Sequence, residues 1–230
     1  MTILHYELCG ADTAKVFSPH CWKTRMALEH KGVDYTTVPV PFTEVAAVEG
    51  GEGRRVPVIR DGDHVVEDSY QIALYLEEAY PDAPTLFGGE GGKALTQFCI
   101  AFAQMQFNSV VSRMALMNIY DILAPADQAH FRTTREKMFG QSLESWAHAM
   151  AATKDDLVAS MKPLEMMLKS QPYIGGDSPL FADYVLFGPL QWLRVVKGDD
   201  ALPQEGAAAD WLNRLLDMYG GMARSTPLAA

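Results

Sequence analysis

The chain has 230 residues, 48% of them hydrophobic and 21% charged, the balance of an ordinary globular protein with length for one large domain or two modest ones. Its 19 basic and 29 acidic side chains leave a net charge of −10, which repels phosphate backbones; the densest basic pair, Arg54-Arg55, is too small to track a duplex, so no nucleic-acid partner is expected. Three cysteines (Cys9, Cys21, Cys99) without a CxxC are too few for a disulfide scaffold and suit a reducing compartment.

The segment Ile3-Leu-His-Tyr-Glu-Leu8 alternates apolar and polar residues and ends in a loop at Gly10 and Asp12, so it reads as a strand. It lacks a basic lead and carries Glu7, unlike a targeting segment. Ser18-Pro19 opens a helix, since serine is a favoured N-cap and proline fits the first helical position. That helix closes at Lys31-Gly32, a cation at the negative end followed by a C′ glycine. Tyr35-Thr-Thr-Val38 is β-branched and aromatic and predicts a second strand. After a poorly patterned stretch, Val56-Pro-Val-Ile59 and His64-Val-Val-Glu67 flank the turn Asp61-Gly62-Asp63 as a hairpin. Asp68-Ser69 then caps a helix that ends near Tyr80-Pro81.

Pro81 to Gly92 holds two prolines and four glycines and reads as a linker. Beyond it strand signals vanish. Helices are expected over Ala94 to about Leu123, Ala126–Ala152, Lys154–Ser170, Ala182–Val196 and Ala207–Tyr219. The expected organisation is an α/β domain at 1–81, a linker at 82–92 and an all-helical domain at 93–230. No apolar run reaches the roughly eighteen residues of a membrane span, because Asp183, Pro189 and Gln191 interrupt Leu180–Leu193, so a cytoplasmic location is expected.

Three places invite chemistry. A helix N-terminus at Ser18 offers unsatisfied N–H groups and a positive dipole end to an anion. The Ser18 hydroxyl either caps its own helix or turns outward to donate to a bound thiolate, and the motif leaves both readings open. The Val56–Pro57 bond, if cis, would aim the Val56 backbone away from the sheet toward an extended peptide ligand. An ordinary trans proline at a strand start is the commoner outcome. Asp68-Ser69 caps a helix and, in the same place, could seat a carboxylate on free N–H groups while Asp68 pairs an ammonium.

The order strand, Ser-Pro helix, x-Val-Pro strand, hairpin and acidic-Ser helix resembles the glutathione S-transferase superfamily across nearly the whole chain. The residues that carry the likeness are Ser18-Pro19, Lys31-Gly32, Val56-Pro57-Val-Ile59, Asp68-Ser69-x-x-Ile72, Tyr173-Ile-Gly-Gly176 and Phe181-Ala-Asp183. Within it, Ser-Pro-x-x-Trp-Lys-Thr-Arg-x-Ala-Leu-x-x-Lys-Gly (Ser18 to Gly32) is similar to the bacterial β-etherases that cleave lignin-type aryl ethers and to fungal etherase-like transferases. The late stretches Trp211–Tyr219 and Gly221–Pro227 are similar to that subgroup too.

The resemblance implies a thioredoxin-like domain of order β-α-β-α-β-β-α followed by a helical domain that builds a hydrophobic pocket. It implies Ser18 as the thiol-activating residue, Val56 as backbone partner of the cysteinyl part and Pro57 as a cis proline. Asp68 and Ser69 would hold the γ-glutamyl end, and Arg55 could approach the glycine carboxylate. His20, Trp22, Met105 and Asn108 are candidate contacts for a hydrophobic aromatic acceptor. Glutathione is the implied cosubstrate; no metal is expected, and a homodimer is. Where the family has a capping Ser or Thr three residues before its aspartate, this chain has Leu180 before Asp183, which puts the stability of that helix start in doubt.

The activity implied is glutathione transfer to aromatic electrophiles, including β-aryl ether cleavage. Two other classes compete with it. A thiol oxidoreductase or dehydroascorbate reductase would depend on Cys9 or Cys21, which read as small apolar residues. A non-catalytic binder would hold glutathione without lowering its thiol pKa. Tyr6, mid-strand, is the runner-up activating residue.

Overall fold

A computed structural model describes residues 2–229. Four strands, β1 (Ile3–Leu8), β2 (Tyr35–Val40), β3 (Val58–Asp61) and β4 (His64–Glu67), form one sheet in the order β2-β1-β3-β4. β1 runs parallel to β2, with Ile3 opposite Tyr35 and Leu8 opposite Val40, and the crossover between them is α1 (Pro19–Lys31). β3 is antiparallel to β1 and, across the Asp-Gly-Asp turn that closes their hairpin, to β4. α2 (Ser69–Ala79) follows β4.

Between β2 and β3 the expected α-helix is replaced by a 3-10 segment, Val45–Gly50, in which Val48 and Glu49 depart from helical dihedrals. Extended Val48, followed by Glu49 at φ +51° and Gly50 at φ +65°, breaks any helical run there.

The rest is helical: α3 (Glu90–Phe102), a π-helical turn (Ala103–Phe107), α4 (Asn108–Ile122), α5 (Pro125–Phe139), α6 (Leu143–Ala149), α7 (Lys154–Ser160), α8 (Lys162–Leu168), α9 (Phe181–Lys197) and α10 (Ala207–Gly221). Two long helices expected from the pattern are each broken in two. Gly140 in the left-handed conformation and the Ser142 N-cap divide α5 from α6, and Met161 divides α7 from α8.

α9 is the axis of the molecule. It is buried along most of its length and packs against α1, α3 and α4, so one apolar core runs from the sheet into the helical domain. Where α9 meets α1, Gly188 lets the Pro19 carbonyl approach so closely that an added Cβ would stand 2.3 Å from its oxygen. This contact fixes where α1 begins.

The start of α9 resolves the missing cap. Leu180 offers no side-chain hydrogen bond, but the buried Asp183 carboxylate accepts from four donors. They are the N–H groups of Ile174 (2.7 Å), Gly175 (3.0 Å) and Leu180 (2.9 Å), and Trp211 Nε1 (2.8 Å). The aspartate therefore holds the preceding loop, the helix start and α10 together.

Candidate functional site

Three chain segments converge on a cavity of about 300 Å³ lined by His20, Arg55, Val56, Pro57, Glu67 and Asp68. The first segment is the beginning of α1. Ser18 is its N-cap, 5% exposed, and its Oγ accepts the Cys21 N–H at 3.3 Å, with Pro19 at the first helical position. The capping reading of Ser18 is realised, and an oxygen that accepts there still has its O–H to donate.

The second segment is the entry to β3. The Val56–Pro57 peptide is cis, and pairing in the sheet begins only at Val58, so Val56 stands outside the ladder and lines the cavity. The third is the β4–α2 junction. Asp68 sits at φ +76°, a conformation that L-residues rarely adopt and that the surrounding structure must enforce. Its Oδ1 accepts the N–H groups of Tyr70 (2.9 Å) and Gln71 (3.1 Å), and its own N–H donates to the Pro57 carbonyl at 3.3 Å. Ser69, at the start of α2, is buried.

Glu67 also lines the cavity, and the sequence reading passed over it. It accepts the Arg55 N–H at 3.1 Å and stands 3.5 Å from the Arg54 guanidinium, which ties the β3 entry loop to the end of β4. Its only signal was an acidic residue directly before Asp68-Ser69. Below the cavity, the buried Lys23 donates to His20 Nδ1 at 3.2 Å. Burial pushes the Lys23 ammonium down to about 8 against the attraction of Asp68.

The glutathione S-transferase N-terminal domain model matches residues 13–84, and the glutathione S-transferase C-terminal domain model matches residues 94–218. The chain belongs to the glutathione S-transferase family. Among its relatives is the glutathione S-transferase-like protein ustS of Aspergillus flavus, 26% identical over 78% of this chain and 75% of that one. Two solved structures are similar over nearly all of both chains. The glutathione transferase GSTFuA3 of Phanerochaete chrysosporium is 28% identical with a TM-score of 0.81, over 94% of this chain and 96% of its own. CsGST63524 of Ceriporiopsis subvermispora, solved in complex with glutathione, is 26% identical with a TM-score of 0.82, over 99% of each chain.

As a glutathione S-transferase, the chain brings His20, Arg55, Val56, Pro57 and Asp68 together at one cavity, with Ser18 and Ser69 buried at the adjoining helix starts. It does not bring Trp22 there. Trp22 is 1% exposed, packs edge-on to Phe187 at 6.4 Å and donates Nε1–H to the Val16 carbonyl, so it is core and not pocket wall. Met105 projects from the π-helical turn with 73% exposure, and Asn108, half-buried, leaves Oδ1 buried without a partner; neither lines the His20 cavity.

Tyr6 lies elsewhere as well. Its hydroxyl donates to Glu49 and its ring packs beside Val40, Val48 and Val58, because the strand pleat sends it to the face opposite Glu7. The cysteines are free and buried, and burial pushes Cys9 up to about 11 and Cys21 and Cys99 up to about 12. Their burial fits the reading of Cys9 and Cys21 as small apolar residues.

Proposed function

We propose that this glutathione S-transferase activates the glutathione thiolate for attack on hydrophobic aromatic electrophiles, including the carbon of a β-aryl ether. The observation that carries the reading is the single cavity in which the α1 start, Val56–Pro57 and the strained Asp68 meet. Val56 pairs the cysteinyl backbone, Asp68 takes the γ-glutamyl ammonium, and Ser69 with the α2 N-terminus seats its carboxylate. Arg55 reaches toward the glycine carboxylate. The sulfur then lies at the α1 N-terminus, where the Ser18 O–H donates to it.

A free thiol with a pKa of about 8.5 is only a few per cent thiolate at neutral pH. Lowering that pKa by about two units, through one hydroxyl and a helix dipole, favours the anion by about 3 kcal/mol. Ser18 keeps its proton throughout. In the etherase-like reaction the thiolate forms a C–S bond, the C–O bond breaks, and the aryloxy group departs with the electron pair as phenolate. The etherase-like likeness of Ser18–Gly32 supports this substrate class. The reading also carries a homodimer and a cytoplasmic location by family likeness.

The test is a turnover screen with glutathione against a model β-aryl ether, a chlorinated aromatic and a disulfide. Transfer to either aromatic substrate, retained after thiol alkylation of the protein, is the expected result. Turnover of the disulfide alone would overturn the reading in favour of an oxidoreductase, and glutathione binding with no turnover and no thiolate would favour a binder.

A further inference from the structure

The thiol chemistry above leaves a buried charge without a role. Lys23 is 4% exposed, a rare condition for a lysine. Its stem runs beside Gly188 of α9, where an added Cβ would stand 3.2 Å from Lys23 Cγ. Its head reaches His20 Nδ1 at 3.2 Å, and among the described residues Nζ makes no other hydrogen bond and no ion pair within 4.0 Å. An ammonium only donates, so Nδ1 accepts and the ring proton of His20 sits on Nε2. That ring lines the cavity of the proposed glutathione site.

We propose that Lys23 is a positioning residue for the thiolate: through His20 it fixes an Nε2–H donor on the cavity wall and sets a positive charge behind the α1 N-terminus. The assignment rests on the transferase reading and deepens it. The charge adds to the helix dipole where the sulfur is held, and a low-dielectric surrounding strengthens it. Asp68 is the charge that acts on Lys23, the other charged groups lining the cavity are Arg55 and Glu67, and α9 meets the Lys23 stem at Gly188. Because burial lowers the Lys23 pKa to about 8, both the charge and the tautomer lock are lost in mild alkali. Catalysis then rises with thiolate formation and falls again as Lys23 deprotonates.

The experiment compares wild type with K23M, K23R and H20L, reading the ultraviolet absorbance of bound thiolate against pH and the pH profile of kcat/KM. Methionine matches the stem and removes a buried charge that is itself costly, so K23M is expected to fold. The bound thiol pKa should rise by about one unit in K23M, an approximately tenfold loss of thiolate on the acid side, with glutathione affinity within a few-fold. K23R should restore the acid limb and abolish the alkaline decline, since arginine stays charged. H20L, altering an exposed side chain, should raise the thiol pKa in the same sense. Profiles of K23M and H20L that superimpose on wild type would overturn the assignment while the transferase reading stands. A wild-type protein that binds glutathione with an unshifted thiol pKa would overturn both.

Discussion

Replacing Ser18 by alanine removes two things at once, and their sizes can be separated. The first is the cap: Ser18 Oγ accepts one long bond, 3.3 Å from the Cys21 N–H, so its loss costs about 0.5–1 kcal/mol and lowers Tm by roughly 1–4 °C in a chain of this size. The second is the donor to the sulfur. A hydrogen bond to an anion is worth about 1.5–3 kcal/mol, so its loss raises the bound thiol pKa by about one to two units. Turnover at neutral pH should fall about 10- to 100-fold while glutathione affinity stays within a few-fold, because Val56, Asp68 and Ser69 are untouched. Ser18→Gly separates the effects, since glycine at an N-cap costs only a few tenths of a kcal/mol yet removes the donor equally. The assay pairs turnover of an aromatic electrophile with the ultraviolet absorbance of bound thiolate and a thermal melt. Turnover of both variants within about twofold of wild type, less than 0.5 kcal/mol of transition-state stabilisation, would refute Ser18 as activator.

Trp22→Ala is expected to cost about 3–5 kcal/mol by opening a cavity against Phe187 and orphaning the Val16 carbonyl. A melt lowered by less than about 1 kcal/mol, with a selective loss of acceptor binding, would restore Trp22 to the pocket wall. Asp183→Ala leaves four donors of α9, α10 and the preceding loop without their acceptor and should destabilise by about 3–5 kcal/mol in chemical denaturation, an unchanged midpoint being the contrary result. Asp68→Asn keeps a residue that tolerates positive φ and can still cap α2, but removes the charge offered to the γ-glutamyl ammonium. Calorimetry should find glutathione binding weakened by roughly tenfold with little change in Tm, and equal affinity would remove Asp68 from the site.

The parts of this molecule legible in the sequence are those written in local chemistry. Ser18-Pro19 announces a helix start, Lys31-Gly32 its end, and Asp61-Gly62-Asp63 a hairpin, because each depends on residues within a few positions of one another. The role of Trp22 was hidden because α1 is enclosed between the sheet and α9. It buries Lys23, Thr24 and Lys31 along with Met26 and Ala27, so no polar face marks which side meets solvent. Alternation places Tyr6 and Glu7 on opposite faces of β1, yet only the packing of the Val40, Val48 and Val58 cluster decides which face Tyr6 takes. Glu67 joins the site through the backbone of Arg55, twelve positions away, a pairing that no short motif records.

The same enclosure explains why a small α/β unit and a helical domain act as one device. The cavity is built by the loop that enters β3, the end of β4, the Asp68 cap of α2 and the first turn of α1, so its geometry is local to the first domain. The placement of α1 is not local, because the Pro19 carbonyl is received at Gly188 and the stem of Lys23 lies along the same glycine. A side chain at position 188 would push on the turn that carries Ser18 and on the lysine behind His20 together. If the proposed thiol site stands at the α1 start, the second domain acts on its electrostatics without touching it, by packing against the back of that helix at Gly188.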